Sequence, residues 1–321
     1  MPCIRSVLTL TLVATCAHST RAQSPDTGRV MTSPGVSIYY EKVGSGPHVV
    51  LIPNRPFMPE FNQLHQDDRT LVLYDMRNRG RSGRVEDSSR ITIMDDVDDL
   101  ESLRRHVGAE RVSLVGYSYL GLMVALYATR YPDRVVRMVQ VGPVPRRYDT
   151  AFPDDQTAGA STLSQAALDA GTAWRTARDS ATPQSNQQDL CRIQRRYIAF
   201  LLVGNPENSS KVPDVCVYEN EWPVNQTRHL SAHFQDIQTR DFPKAPFTTL
   251  SHPVLVVHGL LDRNAPYGAG LEWAATFRDA RLITVPGGAH QVWLDDPMVL
   301  RDIDAFLGGS WPTRAVGFGR R

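Results

Sequence analysis

The chain is short of cysteine, of net charge and of long apolar runs, and each shortage removes a class of function. Only four cysteines occur in 321 residues, at positions 3, 16, 191 and 216. None forms a Cys-x-x-Cys pair, so neither a zinc ribbon nor a thioredoxin-type redox site is encoded. Lys and Arg (35) nearly balance Asp and Glu (34), which leaves no electrostatic footprint for nucleic acid or an anionic membrane surface. No stretch approaches the roughly 20 apolar residues of a membrane span. A phosphate-cradling glycine loop, an internal repeat and a low-complexity tract are also missing. His229 and His233 have the i, i+4 spacing of metal ligands, but no neighbouring glutamate or third ligand accompanies them, so they read as surface histidines. The sequence therefore implies no metal and no cofactor.

What is present is apolar mass for a sizeable core, 41% of the residues, and an unusual start. Arg5, the short apolar segment "SVLTLTLVATCA" and the small residues of "TRA" at Thr20 to Ala22 make residues 1–23 a secretory signal peptide by pattern. The expected destination is secreted or periplasmic. Attachment of a lipid at Cys16 is the lesser alternative, because Thr15 is a poor residue before such a cut. After cleavage only Cys191 and Cys216 remain. In an exported protein they most simply form one disulfide, worth about 3–4 kcal/mol by loop entropy; the other reading is two buried free thiols.

From about Gly35 strand-like and helix-like segments alternate. "VSIYYEKV" alternates as a half-buried strand does, whereas "HVVLIP" and "TLVLYD" are continuous apolar runs typical of central strands. Val97, Leu100, Leu103 and Val107 mark one helical face, with Thr92 and Asp95 as its cap. Strand "RVSLVG", helix "GLMVALYATRY" and strand "VVRMVQVG" follow, and later "PVLVVHG", a helix, "RLITVPG" and a last helix to Leu307. Such alternation predicts an α/β fold with a mostly parallel sheet flanked by helices. Residues 143–250 break the pattern, being helix-like and richer in Gln, Asn, Asp and Pro. They are expected to form a helical cap over the carboxyl edge of the sheet, where open α/β sheets bind ligands. The core would then be 24–142 and 251–308, with 309–321 a loose tail.

Three polar residues follow three of these strands. Ser118 comes after "RVSLVGY", Asp262 after "PVLVVHG" and His290 after "RLITVPG", so a parallel sheet delivers all three to one edge. A serine hydroxyl is a weak nucleophile unless an imidazole takes its proton, and a carboxylate must orient that imidazole. The chain order serine, acid, histidine is the order of hydrolases with a nucleophile elbow. Taken singly, Ser118 would cap a helix, Asp262 would make a turn and His290 would be a loop histidine. Taken together they form a catalytic trio.

From Ser33 to Leu307 the chain resembles the α/β-hydrolases with a cap, and most of all the proline iminopeptidase group of serine hydrolases. The resemblance lies in "YDMRNRGRSG" (Tyr74 to Gly83), the elbow "GYSYLG", "HGLLDRNAP", "GGAHQVW" and the cap segment "YENEWPVN" (Tyr218 to Asn225). It implies that Glu219 holds the free amino terminus of a peptide; the bland reading of Glu219 is a solvated helix-face acid. Two departures stand out. Leu120 replaces the glycine two places after the serine, and "PNRPF" (Pro53 to Phe57) replaces a histidine-glycine-glycine-proline-glycine run, with only Pro56 matching. An oxyanion hole needs backbone N–H groups rather than particular side chains, so Arg55 and Tyr119 are the expected donors, since Pro53 and Pro56 have none. The Arg55 guanidinium could instead pair with a substrate carboxylate.

The expectation is an exported serine hydrolase acting through an acyl-enzyme on small molecules or short peptides, releasing an amino-terminal residue. The alternatives are a carboxylesterase or related acyl hydrolase, and a binding protein that keeps the fold after losing catalysis. His258 is expected to fill space at a strand end. "NSS" at Asn208 and "NQT" at Asn225 are sequons in a host that glycosylates exported chains.

Overall fold

Apolar runs bounded by turn residues become the centre of a nine-stranded sheet, seen in a computed structural model that describes residues 25–32, 35–158, 162–182, 184–218 and 224–318. Residues 1–23, expected to be a signal peptide, and Glu219 lie outside the described residues. In chain order the strands and helices are β1 (Asp26–Met31), β2 (Ser37–Val43), β3 (His48–Pro53), β4 (Arg69–Tyr74), α1 (Ile93–His106), β5 (Val112–Tyr117), α2 (Tyr119–Arg130) and β6 (Val135–Val141). Then follow α3 (Gln165–Asp179), α4 (Gln187–Leu202), α5 (Val224–Thr239), α6 (Ala245–Thr248), β7 (Pro253–Gly259), α7 (Tyr267–Thr276), β8 (Asp279–Val285), α8 (Val292–Asp295), α9 (Met298–Leu307) and β9 (Val316–Gly317).

The spatial order is β1-β2-β4-β3-β5-β6-β7-β8-β9. The strands from β4 to β8 in that order run parallel, whereas β1, β2 and β9 join antiparallel at the two edges. Both faces of the parallel strands are covered, which is why apolar residues predominate at successive positions of those strands. Leu51, Leu114, Val254 and Val256 enter the core on the α1, α2 and α7 face. Val50, Ile52, Val115, Leu255 and Val257 enter the opposite core with α9. Successive residues thus alternate between two buried layers.

Helix α1 begins where the sequence places it. The Thr92 side chain accepts from Asp95 N–H and the Asp95 carboxylate accepts from Thr92 N–H, a complete capping box. Its inner face carries Glu101, almost fully buried, which receives both Nε and Nη2 of Arg104, Nε of Arg105 and the Tyr127 hydroxyl of α2 at 2.7–2.9 Å. Burial opposes the charge, but these donors outweigh it and hold the carboxyl at about 2 against an ordinary 4.5. A depressed carboxyl stabilises the fold above its unfolded value and stops doing so as pH falls towards 2. Glu101→Gln is therefore expected to lower unfolding free energy by about 3 kcal/mol at neutral pH. Urea denaturation at pH 7 and pH 3 checks this, with the gap between variant and wild type narrowing at the acid value.

Residues between β6 and β7 fold as α3 to α6, in line with the helix-like composition of that interval. A disulfide joins Cys191 on α4 to Cys216, with Cα atoms 5.9 Å apart. Two features depart from expectation. Asp26–Met31 forms an edge strand on β2, although "DTGRVM" has no strand-like pattern. The tail expected to be loose is ordered as far as residue 318 and supplies β9. It is held by burial of Ala315 and by Trp311, which packs on the Phe306 ring and lies under the Arg281 guanidinium at 4.5 Å.

Candidate active site

Ser118 stands at the junction of β5 and α2 with φ 60° and ψ −130°, a backbone region that costs a non-glycine residue about 1–3 kcal/mol. It is not an ordinary cap, since its side chain makes no cap hydrogen bond to the helix. The strain is held by packing on both sides. A Cβ on Gly116 would lie 2.3 Å from the Leu120 carbonyl oxygen, and one on Gly121 would lie 2.9 Å from Pro143 Cβ. The close approach of strand and helix thus falls to Gly116 and Gly121. Leu120, fully buried, goes into the core instead. Ser118 N–H donates to Val141 O at the end of β6, which fixes the elbow beside the next strand.

His290 and Asp262 meet at the same edge. His290 Nδ1–H donates to Asp262 Oδ2 at 2.7 Å, both side chains being buried. Asp262 Oδ1 accepts the N–H groups of Asn264 (2.8 Å) and Ala265 (2.9 Å). Burial alone would raise the Asp262 carboxyl, but His290, together with His258 behind it, holds it well below the carboxylate range. The imidazole and the carboxylate lie against Gly142, whose missing Cβ would sit 3.1 Å from Asp262 Oδ2 and from His290 Nδ1. Gly142 follows Val141, the residue that anchors Ser118. Tyr117, next to Ser118 in the chain, places its ring 4.7 Å from the His290 ring. The elbow serine and the histidine–aspartate pair therefore share one neighbourhood, on the ends of β5, β7 and β8.

The "PNRPF" segment forms a tight 3-10 turn over Arg55–Phe57, entered through Asn54 in the left-handed region (φ 64°). As first residue of that turn, Arg55 has a backbone N–H with no partner inside it, and Tyr119 stands at the corresponding first position of α2. The two lie beyond adjacent strands, β3 and β5. The Arg55 side chain is not free for a substrate carboxylate, as the sequence had suggested. Its Nε and Nη2 grip Asp75 at 2.8 and 3.0 Å, and Nη1 lies 3.3 Å from Glu41. The rings of Tyr39 and Tyr218 flank it at 5.3 and 5.4 Å. Asp75 is the aspartate of "YDMRNRGRSG", so two motif loops are tied together through a buried bidentate pair. On the other side, Gln291 Nε2 donates to Phe57 O at 3.1 Å.

Several residues hold this region without a local sequence signal. Asp295 accepts Gly204 N–H (2.7 Å), Asn205 N–H (3.2 Å), Asn208 Nδ2 (2.9 Å) and Ala289 N–H (3.0 Å). It fastens the end of the α4 segment to the loop carrying His290. Asn208 is consequently buried with its amide nitrogen engaged, so its sequon is closed to glycosylation in the folded chain. His233, expected on the surface, is buried: its Nε2 meets Asp96 Oδ2 at 2.5 Å, and its ring packs 5.1 Å from that of Tyr119. Among the described residues no helix is long and apolar enough to cross a membrane, and no group of three His, Cys, Asp or Glu side chains could hold a metal.

Comparison with known proteins agrees with this fold. The chain is 23% identical over 295 residues to a proline iminopeptidase of Xylella fastidiosa (strain Temecula1), covering 84% of this chain and 91% of that protein. It is 30% identical over 113 residues to the mouse serine hydrolase BPHL, a match that spans only 39% of the relative and 33% of this chain. Its fold is similar to an esterase from Exiguobacterium antarcticum, with TM-score 0.64, 15% identity, and coverage of 88% of this chain and 99% of that one. The family profile described as alpha/beta hydrolase fold matches residues 47–297. A parallel sheet with a serine elbow and a histidine–aspartate pair at its carboxyl edge, matched over most of its length, makes this chain a member of the α/β-hydrolase fold family.

Proposed function

We propose that this hydrolase works through an acyl-enzyme formed on Ser118. His290 takes the serine proton during attack and returns it to the leaving group, while Asp262 orients the ring and stabilises its charged form. The observation that carries the reading is the buried His290–Asp262 hydrogen bond beside a serine in a strained strand-to-helix turn. The N–H groups of Arg55 and Tyr119 receive the oxyanion, the latter aided by the positive end of α2. The Arg55–Asp75 grip fixes the first donor's backbone. Arg55→Lys keeps the charge but loses the bidentate geometry. It should lower kcat about 10²-fold with KM little changed, which steady-state kinetics will read.

The substrate enters under the helices between β6 and β7, acting as a cap, and an amino-terminal residue is released from a short peptide. Glu219 supplies the counter-charge that an ammonium group needs in a partly dry pocket. The similarity to a proline iminopeptidase over most of both chains favours the same subclass. Residues 1–23 direct export, where the Cys191–Cys216 disulfide is stable. The test is turnover of proline 2-naphthylamide and of p-nitrophenyl acetate. Hydrolysis of the amide, lost in Glu219→Gln, is expected; turnover of the ester alone, indifferent to Glu219→Gln, makes the protein a carboxylesterase.

A further inference from the structure

Asp262 serves two imidazoles. His258, near the end of β7 and fully buried, places Nε2 3.2 Å from Asp262 Oδ2 and 3.1 Å from Ala265 O. A carboxylate and a carbonyl can only accept, so Nε2 carries the hydrogen, which bonds to Ala265 O and lies beside Asp262 Oδ2. The other nitrogen has no hydrogen-bond partner among the described residues. It faces Gly270 on α7, where a Cβ would come within 2.6 Å of Nδ1, and Tyr267 closes the side of the ring edge-on at 5.9 Å. A hydrogen on Nδ1 would be a buried orphan donor, which the tautomer with its hydrogen on Nε2 avoids. The Asp262 carboxylate thus faces four donors: two backbone N–H groups on Oδ1, and His290 with His258 on Oδ2.

We propose that His258 is a positioning residue for the reaction at Ser118: its Nε2–H holds Asp262 Oδ2 in line with His290 Nδ1–H and shares the charge of that oxygen, setting how strongly the carboxylate attracts the His290 proton. The inference rests on the reading of Ser118, Asp262 and His290 as the catalytic trio. With Oδ1 already fixed by the backbone, Oδ2 is the oxygen whose place and electron density His258 can alter. Removing this donor loosens Oδ2, which slows attack. It also leaves more of the carboxylate charge to His290, which stabilises the imidazolium and moves the acid limb of the rate profile to higher pH. The titratable groups facing the pair among the described residues are Asp262, Tyr267 from α7, and Tyr117 from β5. Burial pushes the Tyr117 hydroxyl far up, with Asp262 adding to the effect, so it contributes no charge near neutral pH. Arg263, beside Asp262, turns away to Thr162 and the Val203 carbonyl.

The test is the rate of fluorophosphonate labelling against pH for the wild-type chain, Ser118→Ala, His258→Phe and His258→Gln. His258→Phe should label about tenfold more slowly at its plateau, with the acid limb raised by roughly half a pH unit. His258→Gln places an N–H near Nε2 and should restore most of the rate and the wild-type limb. A wild-type profile for His258→Phe, or a His258→Gln variant as slow as His258→Phe, overturns the proposal. Labelling that persists in Ser118→Ala overturns the nucleophile reading instead, so the two failures are distinguishable. If His258→Phe does not fold, nitrogen NMR of histidine-labelled wild-type protein decides. Hydrogen on His258 Nε2 is expected, and hydrogen on Nδ1 overturns the proposal.

Discussion

Ser118→Ala is expected to lower ester and amide turnover by roughly 10⁴- to 10⁶-fold while leaving the fold intact. The loss is large because the hydroxyl is the atom that forms the covalent intermediate, and what remains is the modest contribution of binding and oxyanion stabilisation. The fold should survive because Ser118 makes no cap hydrogen bond. The φ of 60° is enforced by the packing of Gly116 and Gly121 rather than by the side chain. Alanine at this φ remains strained, so the change in stability should stay within about 1 kcal/mol. Turnover assays alongside thermal unfolding separate the two effects.

Asp262→Asn should cost about 10⁴-fold in kcat, and the hydrogen bonds say why. Oδ1 accepts two backbone N–H groups, from Asn264 and Ala265, so the asparagine oxygen must take that place. Its NH₂ then stands where Oδ2 was and points a donor at His290 Nδ1. The ring is forced into the tautomer with its hydrogen on Nε2, facing the serine with a proton where a lone pair is needed. The same NH₂ also meets the Nε2–H of His258 at 3.2 Å, donor against donor. A loss of less than tenfold would mean that His290 does not depend on Asp262 for its tautomer.

The parts of the molecule that were legible in the sequence share a local signature. The parallel strands are predominantly apolar because both sheet faces are covered, and the α1 cap is a Thr-x-x-Asp pattern realised in full. The pairing of His290 with Asp262 could be anticipated because each follows a strand of one parallel sheet, which turns distance in sequence into proximity in space. What could not be read depends on contacts between distant residues. The Arg55 guanidinium is claimed by Glu41 and Asp75 from two other segments. His233 sits on a polar-looking helix but reaches a buried carboxylate 137 residues away. Strand β9 exists because Trp311 and Ala315 find sites on the body of the protein, not because of any period in "TRAVGFG". Asp295 has no local sequence signal, yet it accepts four donors from two separate segments.

The central claim is that one hydroxyl, at position 118, carries the acyl group during turnover. Acid quenching of the protein during hydrolysis of p-nitrophenyl acetate, followed by peptide mass spectrometry, tests it directly. The account predicts a single acetyl increment on the peptide containing Ser118, absent in Ser118→Ala and depleted when His290→Ala slows its formation. An acetyl group on another residue during competent turnover, or full turnover by Ser118→Ala, would contradict it.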